Sequence, residues 1–158
     1  MNAKYEFVPG DEKVIAPGRT VKRIRALVAI SYFCSAGSLG GYIESEKSLD
    51  TSGNAWVSGD ARVYGNARVS GNALVSGDAQ VYGNALIVWF SHVGSENGTL
   101  TVYNAKDNTI EVTRGCFKGT INEFLAASEK KHDEQTHLEY RLLIEVAYSR
   151  ITRARSNQ

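Results

Sequence analysis

Ala55-Trp-Val-Ser-Gly-Asp, Ala61-Arg-Val-Tyr-Gly-Asn, Ala67-Arg-Val-Ser-Gly-Asn, Ala73-Leu-Val-Ser-Gly-Asp, Ala79-Gln-Val-Tyr-Gly-Asn, Ala85-Leu-Ile: a six-residue unit recurs through the middle of the chain. Within each unit Ala and the aliphatic residue two places on share one face of a strand, and the residue between them points the other way. Gly-Asp or Gly-Asn then turns the chain, because these residues tolerate positive φ. A short strand and a corner every six residues describe a coiled ribbon, since a hairpin stack needs longer strands between its turns. Identities also recur at eighteen, as in Tyr64 and Tyr82, Asp60 and Asp78, Asn54 and Asn72, and Ser58 and Ser76. Three sides per coil therefore stack, which predicts a triangular parallel β-helix.

Run backwards, the frame covers residues 39–92 with nine sides, about three coils, the first degenerate. It sets Leu39 and Thr51 in the Val slot, Ile43 and Leu49 in the Ala slot, and Gly41 and Gly53 at corners, with Ser45 fitting poorly. The expected fold is mainly β with C-terminal helices. It comprises an N-terminal β cap (1–38), the coiled segment (39–92) and a β-meander with two helices (93–158), folding as one cooperative unit.

The flanks are read from local pattern. Tyr5-Glu-Phe7 and Thr20–Phe33 read as extended chain, and Pro9-Gly10 and Pro17-Gly18 as turns. Lys22, Arg23 and Arg25 read as a solvated strand edge protected by charge. Leaving the repeat, 85–90, 99–103 and 109–113 predict a three-stranded antiparallel meander. Thr120 with Glu123 predicts a capping box for a helix over 119–131, with Ile121, Phe124, Leu125 and Ala127 on its apolar face. Thr136 with Glu139 predicts a second box, followed by an apolar stripe of Leu138, Leu142, Leu143, Val146, Ala147 and Ile151.

The 158 residues carry 18 Lys+Arg against 17 Asp+Glu, a net charge of +1. The first 36 residues contribute +3, and the segment 37–92 contributes −2. This asymmetry is too small for a nucleic-acid or membrane footprint. No apolar h-region follows Met1, and no run reaches membrane-spanning length. Cys34 and Cys116 belong to no metal or redox motif and read as reduced cytoplasmic thiols. His132 and His137 lie five apart, off the i, i+4 spacing of a helical zinc pair. Gly115-Cys-Phe-Lys-Gly119 reads as a tight strand-to-helix turn, and no phosphate loop is present.

The repeats resemble the hexapeptide-repeat, left-handed parallel β-helix proteins. With its flanks, including Val21–Leu27, Ser38–Glu46 and Glu111–Thr120, the chain resembles a group of small phage and prophage proteins of unknown role. That resemblance implies a left-handed coil, a homo-oligomer (a trimer by analogy) and the cytoplasm of a host bacterium. Many hexapeptide-repeat proteins are acyltransferases in which a histidine acts as general base. Here only His92 merits that test, at the end of the repeat. No long loop interrupts the repeat to form an acceptor pocket, so the expectation is a protein without enzymatic activity, cofactor or metal.

Outward residues then define the candidate surfaces. One side stacks Glu44/Glu46, Arg62/Tyr64 and Gln80/Tyr82. With Arg68 from another side, these suggest a binding set of Arg62, Tyr64, Arg68, Gln80 and Tyr82, rich in residue types of interface hot spots. Trp56, Leu74, Leu86 and Val88 suggest an apolar outer ladder needing cover, and Leu142 and Val146 add to an oligomer interface. The functional expectation is a binding protein that inhibits a bacterial antiviral defence system, occluding a host protein or sequestering a small nucleotide signal. The alternatives are a small acyltransferase and a virion structural or assembly protein.

Overall fold

The computed structural model describes residues 2–31, 33–82 and 86–156, and the chain divides into two compact units, Met1–Gly83 and Asn84–Gln158. Gly83, Asn84 and Ala85, the last corner and last Ala of the repeat, lie outside the described residues.

In the first unit, β1 (Tyr5–Ala16) and β2 (Arg19–Ala26) form an antiparallel hairpin around Pro17-Gly18, with Gly18 at φ +73°. Pro9-Gly10, expected as a turn, instead lies inside β1, where the register slips between Phe7 and Glu12. A bulge on an edge strand tolerates the missing N–H of proline. The repeat supplies β3 (Leu39–Ile43), β4 (Trp56–Val57), β5 (Arg62–Tyr64), β6 (Leu74–Val75) and β7 (Gln80–Tyr82). One sheet runs β1-β2-β3-β5-β7; the hairpin joins it antiparallel, and β3, β5 and β7 pair in parallel. On the other sides β4 pairs parallel with β6, and Leu49 bridges Val69 in parallel. The expected N-terminal cap is thus an antiparallel extension of one repeat side, and the sheet is mixed.

The inward slots are filled as the hexad demands. Val57, Val63, Val69, Val75 and Val81 are fully buried, as are Ala55, Ala61, Ala73 and Ala79, while Ala67 is 5% exposed. Corner glycines stack closely: a Cβ on Gly53, already at φ +68°, would lie 2.8 Å from the Gly71 carbonyl oxygen.

The backward frame needs correction in its first turn. Arg62 pairs with Gln80, eighteen residues on, but Tyr42 pairs with Arg62 and Leu49 with Val69, twenty residues on. The two extra residues lie between Leu49 and Trp56, where Asp50 N–H donates to the Val69 carbonyl but Asn54 N–H donates to the Gly71 carbonyl. The 3₁₀ turn at Glu46–Ser48, started by the Ser45 hydroxyl accepting from Lys47 N–H, precedes them. Ile43 and Leu49 therefore occupy the Val slot, not the Ala slot. Leu39 is 54% exposed and Thr51 is also exposed, rather than inward. Gly41 is no corner. It lies buried in β3, where a Cβ would sit 2.7 Å from Val57 Cγ1 and 2.8 Å from the Ala61 oxygen.

In the second unit, β8 (Ile87–Val93), β9 (Gly98–Asn104), β10 (Ile110–Arg114) and β11 (Phe117–Thr120) form an antiparallel sheet in the order β11-β10-β9-β8. The meander thus has four strands, and residues 87–92 belong to it rather than to the parallel repeat. Gly115-Cys116 turns β10 into β11, with Gly115 at φ +58°.

Helix α1 (Ile121–Lys131) packs on β10 and β11, and α2 (Glu134–Ser156) on β8 and β9. The Thr120–Glu123 capping box is present in α1. The second helix starts earlier than expected: Asp133 Oδ1, not Thr136, caps it by accepting from Thr136 N–H at 2.8 Å. Its buried face is Tyr140, Ile144, Ala147, Ile151 and Ala154. Of the expected stripe, Leu138 (41%), Leu142 (51%) and Val146 (49%) face solvent instead. The helix carries apolar residues on two faces, and the sheet covers only one. Among the described residues no helix is long and apolar enough to cross a membrane.

Candidate functional site

Parallel pairing at an eighteen-residue offset brings like residues into register, so Tyr64 of β5 lies directly beside Tyr82 of β7. Their rings stack with centroids 5.1 Å apart and planes 12° from parallel. The hairpin adds a cation: the Arg19 guanidinium lies 5.7 Å from the Tyr64 centroid. Arg19 is held by Glu44 at 3.6 Å, and the same carboxylate oxygen accepts from Gly65 N–H at 2.7 Å. Burial, reinforced by the neighbouring Tyr82, pushes the Tyr64 hydroxyl above its ordinary pKa. Arg62 and Gln80 stand side by side two residues earlier.

Four of the five expected binding residues, Arg62, Tyr64, Gln80 and Tyr82, therefore share one sheet face, each half-buried. Arg68 does not join them. It lies beside Val69 on another side and pairs with Asp50 at 3.5 Å. The side's first rung is Tyr42 and Glu44, not Glu44 and Glu46, by the same two-residue shift. Arg19 and Glu44 complete the arrangement. A tight Pro-Gly hairpin delivering Arg19 next to the ladder was the available signal, and it required knowing that the hairpin joins this sheet.

A second polar network lies on the same sheet. Arg23 donates to Asp11 Oδ2 (3.1 Å), the Gly40 and Gly59 carbonyls (2.8 and 3.1 Å) and the Tyr42 hydroxyl (2.8 Å). Tyr42 in turn donates to Asp11 Oδ1 at 3.0 Å, and Lys13 lies 4.3 Å from its ring centroid. The Tyr42 hydrogen bond, against some desolvation and with help from Arg23, holds the Asp11 carboxyl below its ordinary range. Expected as a solvated edge charge, the Arg23 side chain is only 18% exposed and ties β1, β2 and β3 to the repeat.

The expected outer ladder is largely interior. Trp56 is fully buried, because its indole fills space left by Gly40, where a Cβ would sit 2.7 Å from the ring and 2.7 Å from Ile24. Leu86 is 1% exposed, and Leu74 and Val88 are half-buried, whereas Leu142 and Val146 are open to solvent. His92 is exposed at φ +60° where β8 slips register, not on a coil side. The His137 ring Nδ1 meets the Ser128 hydroxyl at 3.0 Å, and the His132 ring leans on Tyr140 at 5.5 Å. Among the described residues no group of His, Cys, Asp and Glu is placed to hold a metal ion.

A family model described as the YdcK beta solenoid repeat matches residues 61–77, which run from β5 through β6 to the following corner. Over those residues the chain is similar to a β-solenoid repeat, within a fold that is mainly β with two C-terminal helices. No curated protein matches it significantly, and no solved structure does.

Proposed function

We propose that the protein is a non-enzymatic binding module whose ligand surface is the outward ladder of β3, β5 and β7. The supporting observation is the parallel Tyr64–Tyr82 stack with Arg19 beside it. Tyr64 is flanked by Tyr82 from β7 and Arg19 from the hairpin, so the ladder offers an already closed ring stack, its hydroxyls and the flanking Arg62 and Gln80. Such an array suits the flat surface of another protein better than an intercalated base, and Tyr and Arg are the residue types that dominate such contacts. In the finer reading, the repeat forms a left-handed coil of about three turns in a phage or prophage protein. That protein acts in the host cytoplasm, where occluding a host defence protein would inhibit antiviral immunity. Sequestering a nucleotide signal is the second form of the same reading.

The test compares three proteins of equal circular dichroism: wild type, Tyr64→Ala with Tyr82→Ala, and His92→Ala. Each is assayed for protection of phage in cells carrying antiviral systems, and for binding of cyclic dinucleotides by calorimetry. The double tyrosine variant should lose protection, since truncating aromatic anchors costs about 2 kcal/mol or more. His92→Ala should retain it. The opposite pattern would move the assignment to acyl transfer, where losing a general base costs about 10²–10⁴-fold in rate.

A further inference from the structure

Helix α2 presents a second apolar face that its own unit does not use. At about 100° per residue, Leu138, Leu142 and Val146 lie opposite the buried line of Tyr140, Ile144, Ala147 and Ile151. Charged residues flank this strip with a definite order. Arg141 and Glu145 border one side, and Glu139 and Arg150 the other. Among the described residues none of these four forms an ion pair. Glu139 uses one oxygen to accept from Gly94 N–H at 2.6 Å, leaving the other for an outside donor.

We infer that this face is an isologous dimer interface in which α2 packs antiparallel against α2 of a second copy. The occupant is chosen by charge complementarity. An antiparallel pair brings like sides of the two strips together, so residues early in one helix meet residues late in the other. With the two-fold axis near Leu143–Ile144, Leu142 meets Val146 of the partner subunit. In the same register Glu139 lies level with Arg150 of the partner subunit, and Arg141 with Glu145 of the partner subunit. Two-fold symmetry repeats each pairing, so four opposite-charge contacts border an apolar centre. No like charges face each other along either side in that register. The homo-oligomer expected from the sequence as a trimer is on this argument a two-fold pair built on α2, independent of the ladder on the first unit.

Sedimentation equilibrium of the full chain between about 5 and 200 µM tests it, a range suited to a helix pair with a small apolar centre. Wild type should approach dimer mass at the upper end. Val146→Glu should weaken association at least ten-fold. Arg141→Glu alone and Glu145→Arg alone should each weaken it several-fold, because each sets like charges against each other across both symmetric contacts. An equimolar mixture of these two variants should recover a dimer at low salt, since opposite charges then meet again in the mixed pair. Both substitutions are on exposed positions, and the recovery on mixing separates a lost contact from a lost fold. A wild-type protein monomeric at 200 µM would overturn the inference. So would an oligomer indifferent to Val146→Glu, or variants that fail to recover on mixing.

Discussion

The two units of this chain bury their cores by different rules. In the first, each inward slot holds one residue type at one spacing, and Val57, Val63, Val69, Val75 and Val81 are all fully buried. Backbone pairing does the alignment, so a residue's place in the hexad fixes its environment. In the second, burial depends on which helix face the sheet covers. Leu142 and Ile144 are near neighbours of similar hydrophobicity, yet one is 51% exposed and the other 3%. Periodic backbone geometry makes an interior readable residue by residue. Packing of a helix on a sheet makes it a joint property of two surfaces.

The strongest way to break this comparison is Val69→Asp. It places an uncompensated charge in a fully buried slot and should cost on the order of 3–5 kcal/mol, enough to unfold the first unit. Arg68→Glu, one residue away and outward, should leave the melting temperature near wild type despite losing Asp50 as partner. If both variants melt like wild type, the inward–outward assignment is wrong.

Tyr140→Ala against Leu138→Ala tests the second unit. Tyr140 is 1% exposed, stacks edge-on against Phe124 at 5.1 Å and accepts a hydrogen bond from Arg114 at 2.9 Å. Its truncation should cost about 3–5 kcal/mol, whereas Leu138→Ala should stay within about 0.5 kcal/mol. Urea titrations that reversed this order would restore the stripe expected from sequence.

Gly41→Ala sharpens the first-turn register. A Cβ there presses on Val57 and the Ala61 carbonyl, so the substitution should destabilise by about 1–3 kcal/mol. Were Gly41 an outward corner, as the unbroken hexad frame has it, calorimetry should show little loss from this contact.

Acid is the mildest probe. Asp11, Glu123 and Asp133 all have lowered carboxyl pKa values. Asp11 is held down first by Tyr42, Glu123 by the Thr120 N–H and Asp133 by the Thr136 N–H. A carboxyl lowered in the folded state contributes stability that is present above its unfolded pKa of about 4 and is lost as pH falls through the folded value. Melting temperature should therefore drop as pH falls below about 4. Asp11→Asn should flatten that drop in the first unit and Asp133→Asn in the second. An unchanged acid slope in both variants would remove these carboxylates from the account.

What could be read directly was whatever repeats or caps locally. The coil interior from Ala55 to Val81 follows from period and corner chemistry, because parallel pairing at a fixed offset acts on every residue alike. The Tyr64–Tyr82 stack is legible for the same reason. The α1 capping box follows from four consecutive residues. Arg23 reads locally as a solvated edge charge because its partners Asp11, Gly40, Tyr42 and Gly59 become neighbours only when the hairpin joins the sheet.

The hexad interior, the glycine corners and the helix-forming tail follow from the chain's local pattern alone, since each rests on contacts between residues a few positions or one fixed period apart. Tertiary packing set that the N-terminal hairpin extends the parallel ladder, that two extra residues between Leu49 and Trp56 shift the first turn, and that Trp56 lies inside. It also decided which face of α2 is buried. Those outcomes depend on how separately formed surfaces fit, and long-range steric fit leaves no periodic trace in the chain.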